Sequence, residues 1–502
     1  MAANRRTQPR AGIPGRRCAP ALALLALAAL CAATAPLAGA GEPEEIDDKK
    51  ITRAIQSELE LDRGVSAHLI DVETSEGIVT LSGSVDNALA KDRAVAIAQS
   101  VRGVRAVVDR VRVKPPHRPD KELKNDIVEA LAVDPAAETY ELAVEVNDGV
   151  AELSGTVQSW AEKHLAEQVA KGVRGVKSVT SNIRIVYPRE REDDDIRAGI
   201  RRRLDSDIMV DAGLIDIKVY KGKVTLSGTV GSAAERQRAW QDAWVAGVKS
   251  VNAQGLEVRA WARDEMQRKR KRVSRSDEEI QQAVEEALVH DPRVFSFRPE
   301  VEVDEGIVTL TGEVTDLGAK RAAEETAANT LGVWRVVNRL RVRPEKRPTD
   351  ETLQKRIARA LQRDPYVERH QIRVVVLNGK AHLYGTVDSE FEHDQAESVA
   401  ADVKGVVAVA NHLYEPSDWQ WRDDWRIRKN VESQLWWSPF VDSEDVTVTV
   451  DEGVATLKGT VGSERERRAA AENARQGGAK EVRNRLRVKG EDERTPGYPW
   501  WD

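Results

Sequence analysis

Nine residues, Gly77-Ile78-Val79-Thr80-Leu81-Ser82-Gly83-Ser84-Val85, recur five more times along this chain. The copies run from Gly149 to Val157, Gly222 to Val230, Gly306 to Val314, Gly379 to Val387 and Gly453 to Val461. All fit Gly-x-[Val/Ala]-x-Leu-x-Gly-x-Val. Their leading glycines stand 72, 73, 84, 73 and 74 residues apart. So regular a period means that one small unit is repeated six times, and the chain must be read as an array.

On a strand, residues two apart share a face, so Val79, Leu81, Gly83 and Val85 point one way and Thr80, Ser82 and Ser84 the other. The leading glycine ends a short polar run, as in Asn147-Asp148-Gly149, which suits a hairpin turn that needs positive φ. A preceding strand is therefore expected, and Ile215, Ile217 and Val219 alternate as one. Each unit opens with Asp-x-x-[Ile/Leu]-x3-[Ile/Val]-x3-Leu, for example Asp48, Ile51, Ile55 and Leu59. That pattern predicts a helix whose aspartate caps the free N–H groups of its first turn. After the glycine strand comes Ala-x3-Ala, as in Ala94 and Ala98, the small face of a second helix. The inward glycines Gly83, Gly155, Gly228, Gly312, Gly385 and Gly459 are expected to be structural, as the seat for that face. A Gly-Val turn such as Gly332-Val333 then leads into a last strand. The fold class is thus α+β: six tandem α-β-β-α-β units, each a three-stranded sheet covered on one face by two helices.

The element order, the glycine strand and the closing Gly-Val-x-x-Val-x-Asn-x-Leu-x-Val, clearest from Gly332 to Val342, resemble the BON domain, named for osmotically inducible periplasmic and nodulation proteins. The resemblance covers nearly all of residues 45–489. It implies non-catalytic modules of envelope proteins that bind phospholipid or help to maintain membrane integrity, with no cofactor. Six copies exceed the one to three usual in that family.

Residues 1–40 differ from the rest. Arg5, Arg6, Arg10, Arg16 and Arg17 precede an apolar run from Ala19 to Ala33, and Ala38-Gly39-Ala40 has small-x-small form. This reads as a secretory signal cut before Gly41. The alternative is an uncleaved anchor, for which the run is shorter than the roughly 20 residues that a spanning helix needs. Both cysteines, Cys18 and Cys31, lie within this segment, so the exported chain folds without disulfides and is expected in the periplasm. Removing the five arginines leaves 72 basic against 83 acidic residues, a formal net charge of −11. Such a balance argues against nucleic acid as a partner.

The units are placed at 45–114, 119–187, 192–260, 276–344, 349–415 and 421–489, with a tail at 490–502 and short Pro-rich linkers that suit stiff spacers between beads. The longer linker, 261–275, carries Arg268, Lys269, Arg270, Lys271 and Arg272. It either meets anionic lipid headgroups or is a solvated connection. Seven of twelve tryptophans follow residue 418. Among them, Trp425, Trp436 and Trp437 are candidates for a membrane-interface contact, or else for packing against the preceding linker or the fifth unit. Trp240 and Trp244, four apart, suit an interface between units. The eight histidines show no metal-ligand spacing and no recurring position, and no phosphate-binding or nucleophile motif is present. Asp193-Asp194-Asp195 reads as a helix start rather than a cation site. The reading is an exported, non-enzymatic array that binds a phospholipid surface by many weak contacts. The rival is a protein scaffold that uses open sheet faces or edges, including self-association.

Overall fold

The computed structural model describes residues 46–134, 141–259, 261–262, 275–294, 299–344, 348–367, 372–414, 423–438, 441 and 443–488. The proposed signal segment, the basic run Arg268–Arg272 and the tail lie outside them. All six units belong to one body, residues 46–502.

Unit 1 shows the plan. It consists of α1 (Asp48–Leu61), β1 (Ile70–Ser75), β2 (Ile78–Val85), α2 (Ala88–Ser100) and β3 (Ala106–Val113). The sheet order is β1-β2-β3, with β1 antiparallel and β3 parallel to the central β2. Only a helical crossover can join two parallel strands so close in sequence, and α2 is that crossover. Val79, Leu81 and Val85 are buried beneath Ile51, Ile55 and Leu59 of α1. Every member of the six alanine pairs, from Ala94 and Ala98 to Ala470 and Ala474, is fully buried. In unit 4 the central strand is interrupted at Gly312, between Ile307–Thr311 and Glu313–Val314.

The role expected of the helix-start aspartate needs correction. Asp48 is the first residue inside its helix, and its carboxylate reaches out of it. Oδ2 accepts from the Glu76 N–H and Oδ1 from the Gly77 N–H, each at 2.8 Å. Glu76 and Gly77 both have positive φ, 52° and 72°, as the tight turn between β1 and β2 requires. The same clamp recurs from Asp120, Asp193, Asp277, Asp350 and Asp424 to the turns at Gly149, Gly222, Gly306, Gly379 and Gly453. Capping falls to the preceding residue where it occurs: the side chains of Asp47, Ser276 and Thr349 accept from Lys50, Glu279 and Thr352 N–H.

At four of the six inward glycines the hairpin itself leaves no room for a side chain. Gly83 has φ +109°, and a Cβ there would overlap the carbonyl oxygen of Leu69 at the start of β1. Gly155, Gly228 and Gly459 meet Glu141, Leu214 and Asp445 in the same way. What comes close is the neighbouring backbone of the same hairpin. Gly312 is the exception, with nothing nearer than 3.9 Å to a Cβ, and it lies where its strand breaks. Gly385 shares the positive φ, 140°.

The units are not spaced beads. Unit 2 sends the Arg174 N–H to the Arg363 carbonyl at the end of the first helix of unit 5 (Asp350–Arg363), and unit 5 returns Lys404 N–H to Val133 O. The Arg174 guanidinium also donates to Asp364 O, at the cap of that helix, and to Val367 O in the loop beyond it. In units 3 and 4 the equivalent bond is Leu331 N–H to Ser206 O, beside Ile208 N–H to Asn329 O. In units 1 and 6 the equivalent Arg102 places its guanidinium 4.7 Å from the Trp436 ring. The pairing is therefore 1 with 6, 2 with 5 and 3 with 4; units 1 and 3 also meet, with Ala233 of unit 3 in the core of unit 1, and Trp334 of unit 4 packs on the core of unit 6. Sequence neighbours touch as well. Trp160 of unit 2 packs on Trp240 and Trp244 of unit 3, and Lys171 pairs with Asp92 at 2.7 Å.

Docking buries carboxyls. Burial pushes Glu58, at the contact of units 1 and 6, up to about 7, against a hydrogen bond to Gln434. Burial and then Asp134 push Asp402 of unit 5 to about 7, and burial takes Asp364 to about 6.

Two measurements follow. Asp120→Ala removes two charge-assisted hydrogen bonds and is expected to cost about 1.5–3 kcal/mol in urea denaturation, with Asn costing less. A variant as stable as the parent would show that the clamp contributes nothing. For Glu58, Asp364 and Asp402 the folded pKa lies above the unfolded one, so the native state holds more protons between pH 4 and 7 and stability falls as pH rises through that window. Glu58→Gln should therefore raise the denaturation midpoint at pH 8 and leave it near the parent's at pH 4.5. An equal gain at both pH values would rule out ionisation as the cause.

Candidate functional site

The structure separates the candidates read from the sequence. Trp436 and Trp437 stack edge-to-face at 4.6 Å, and Trp437 packs against the core of unit 1. Among the described residues they belong to the contact of units 1 and 6; the preceding linker, 415–422, lies outside those residues. Trp425 is 59% exposed, with the Arg426 guanidinium 5.6 Å from its ring centroid. Arg275, which follows the basic run, donates to Asp205 O of unit 3 at 2.6 Å. Of the proposed lipid contacts among the described residues, only Trp425 faces solvent.

A cavity of about 340 Å³ lies between units 2, 3 and 4, lined among others by Trp160, His164, Arg203, Asp242 and His290. Its arginines are all paired. Arg203 meets Asp242 at 3.3 Å, Arg238 meets Asp207 at 2.6 Å, Arg202 meets Glu286 at 3.2 Å, and Arg293 meets Asp291 at 2.9 Å. Burial, then the neighbouring Asp207, raise the Asp242 carboxyl. Burial, then Arg203, lower His290 to about 4, so its imidazole is neutral near pH 7. Of these, only the Arg202–Glu286 pair crosses between units, from 3 to 4, and charges that cancel in pairs leave little with which to grip an anion.

The outer sheet faces remain open to solvent, and they differ from unit to unit. Unit 2 presents Glu145 and Glu152 with Arg184, and unit 4 sets Glu300, Glu302 and Asp304 of its first strand against Arg335 and Arg341 across the central strand. Unit 6 is basic. Its strands Val446–Asp451, Val454–Val461 and Glu481–Val488 pair so that Thr447, Lys458 and Arg485 form one cross-strand row, and Thr449, Thr456 and Arg483 the next. Arg487 lies opposite Thr460. Lys458, Arg483, Arg485 and Arg487 are all exposed. Asp451 and Glu481 stand at the turn end, where Glu481 meets Arg483 at 3.4 Å. The sequence reading missed this face. Its signal was the alternation Arg483, Arg485, Arg487 along a strand whose other side, Val482, Leu486 and Val488, packs into the core.

A family model described as BON domain matches residues 47–115, 119–187, 192–260, 276–344, 349–414 and 423–490. Osmotically-inducible protein Y of Escherichia coli (strain K12) is 34% identical over 146 residues, which make up 28% of this chain and 73% of that protein. Among solved structures, CdsD, a structural protein of the type III secretion system of Chlamydia trachomatis, aligns over 40% of this chain and 88% of its own at 15% identity, with a TM-score of 0.12. The CdsD C-terminal domain aligns over 43% and 100% at 14% identity, with a TM-score of 0.13. At those scores the structural likeness carries no functional conclusion.

Proposed function

This chain belongs to the BON-domain family, six domains in one chain, and from that premise we propose that it is a non-catalytic, envelope-associated protein that binds anionic phospholipid surfaces under osmotic or related stress. Kinship to an osmotically inducible protein supports the stress and envelope association. The observation that carries the lipid reading is the outer face of unit 6, where Lys458, Arg483, Arg485 and Arg487 stand exposed on one sheet of an otherwise acidic chain. A sheet face holds its side chains in a fixed plane, which suits a flat array of headgroups, and each basic residue near such a surface contributes about 1 kcal/mol. Among the described residues no helix is long and apolar enough to cross a membrane. The docking of units changes the mechanism expected from a string of weak sites. One face on a body of six units does the binding, and the other units fix its position.

Co-sedimentation with vesicles tests this. Binding to phosphatidylglycerol vesicles should exceed binding to phosphatidylcholine vesicles and should fall as salt rises from 50 to 300 mM, as screening shortens the reach of the charges. Changing Arg483, Arg485 and Arg487 to Gln should weaken it by roughly 3 kcal/mol, about a hundredfold. Equal binding by this variant and the parent would sink the assignment of the face. No binding to either vesicle, together with concentration-dependent light scattering, would favour the self-assembling scaffold instead.

A further inference from the structure

The sequence shows no histidine pattern, yet the fold brings two histidines together. His382 lies on the central strand of unit 5 (Lys380–Thr386) and His412 on its closing strand (Ala408–Tyr414). These strands pair in parallel, with Tyr384 opposite His412 and Ala410 opposite His382. His382 Nδ1 and His412 Nε2 are 3.4 Å apart on the outer sheet face, and the two rings are within 8° of parallel. Tyr384 stacks on His412 at 4.9 Å, and the Arg373 guanidinium lies 5.4 Å from the Tyr384 ring. His412 is exposed and His382 half-buried, so the pair is open to solvent.

The spacing fits a shared ion as well as a hydrogen bond between the rings. Two nitrogens bound to one ion at about 2.0–2.1 Å sit roughly 3.3–3.4 Å apart at a tetrahedral angle, and about 2.9 Å apart at a right angle. The observed separation is the tetrahedral one. Nothing in the fold demands imidazoles here, because the positions equivalent to His382 are Thr80, Glu152, Thr225, Thr309 and Thr456. We propose that His382 and His412 form a two-imidazole site for a divalent transition ion of the Zn²⁺, Cu²⁺ or Ni²⁺ class, with water in the remaining positions. Imidazole favours such ions over Mg²⁺ or Ca²⁺, which prefer oxygen. Because among the described residues no three ligands cluster, this is an exchangeable surface site rather than a structural one. The parallel strands set its geometry, and the stack of Tyr384 on His412 holds one ring in place.

Isothermal titration of the purified chain with Zn²⁺, Cu²⁺ and Mg²⁺, repeated on His382→Gln, His412→Gln and the control His117→Gln, tests the site. The expected result is one Zn²⁺ or Cu²⁺ per chain, weakened at least tenfold by each of the first two substitutions and unchanged by the control, with no heat from Mg²⁺. Electron paramagnetic resonance of the Cu²⁺ form should show coupling to two nitrogens. Both side chains stand on an outer face, and an unchanged melting curve confirms that each variant is folded. A parent that binds no ion, or one whose binding survives both substitutions, overturns the proposal and leaves the contact as a hydrogen bond between imidazoles.

Discussion

One carboxylate in each unit ties the tip of a hairpin to the start of a helix far from it in sequence, and the rest of the unit is arranged around that tie. The turn residues need positive φ, which costs energy at Glu76, Asp148, Lys221, Glu305, Asn378 and Glu452, none of them glycine. Two N–H bonds to one aspartate offset that cost and fix the angle between helix and sheet. With that angle set, Ile51, Ile55 and Leu59 meet Val79 and Leu81, and the core closes. The inward glycine acts in the same hairpin, allowing the two strands to approach where a Cβ would strike a carbonyl.

A unit of this size, with no disulfide, is marginal on its own core. The array resolves this by docking units in pairs about helix ends, where open carbonyls demand donors. Arg174 on Asp364 and Val367, and Leu331 on Ser206, use the same structural position to satisfy the same need. The tryptophans are used likewise. Trp437 completes the core of unit 1, and Trp160, Trp240 and Trp244 fill the contact between units 2 and 3. Docking has a charge consequence, since carboxyls such as Glu58 and Asp402 lose solvent and hold their protons more tightly.

Much of the unit was legible in the sequence, because period-two and period-four patterns report directly which side of an element is apolar. The buried faces of Val79 and Leu81, the alanine pairs and the order of elements all follow from them. The role of Asp48 did not, since a helix-start aspartate looks the same whether it caps its own helix or reaches a turn 28 residues away. Nor did the purpose of Gly83, because periodicity gives the face of a residue and not the atom that approaches it. The placement of Trp436 failed for a third reason: its partner, Arg102, is in the first unit, and no local pattern carries information across five units.

The interior and the exterior of the array are under different constraints. Inside, every unit must present the same apolar strand, the same alanines and the same clamp, so the six copies stay alike. Outside, the open sheet face touches solvent, and its residues are free to vary without disturbing the core beneath them. It is there that the copies part: mixed in charge in units 2 and 4, basic along Lys458, Arg483, Arg485 and Arg487 in unit 6, and aromatic with paired imidazoles in unit 5. Position two on a strand is enough to separate the residues that build the fold from those free to bind. A protein made this way can hold one architecture in six copies and still place a different surface chemistry on each.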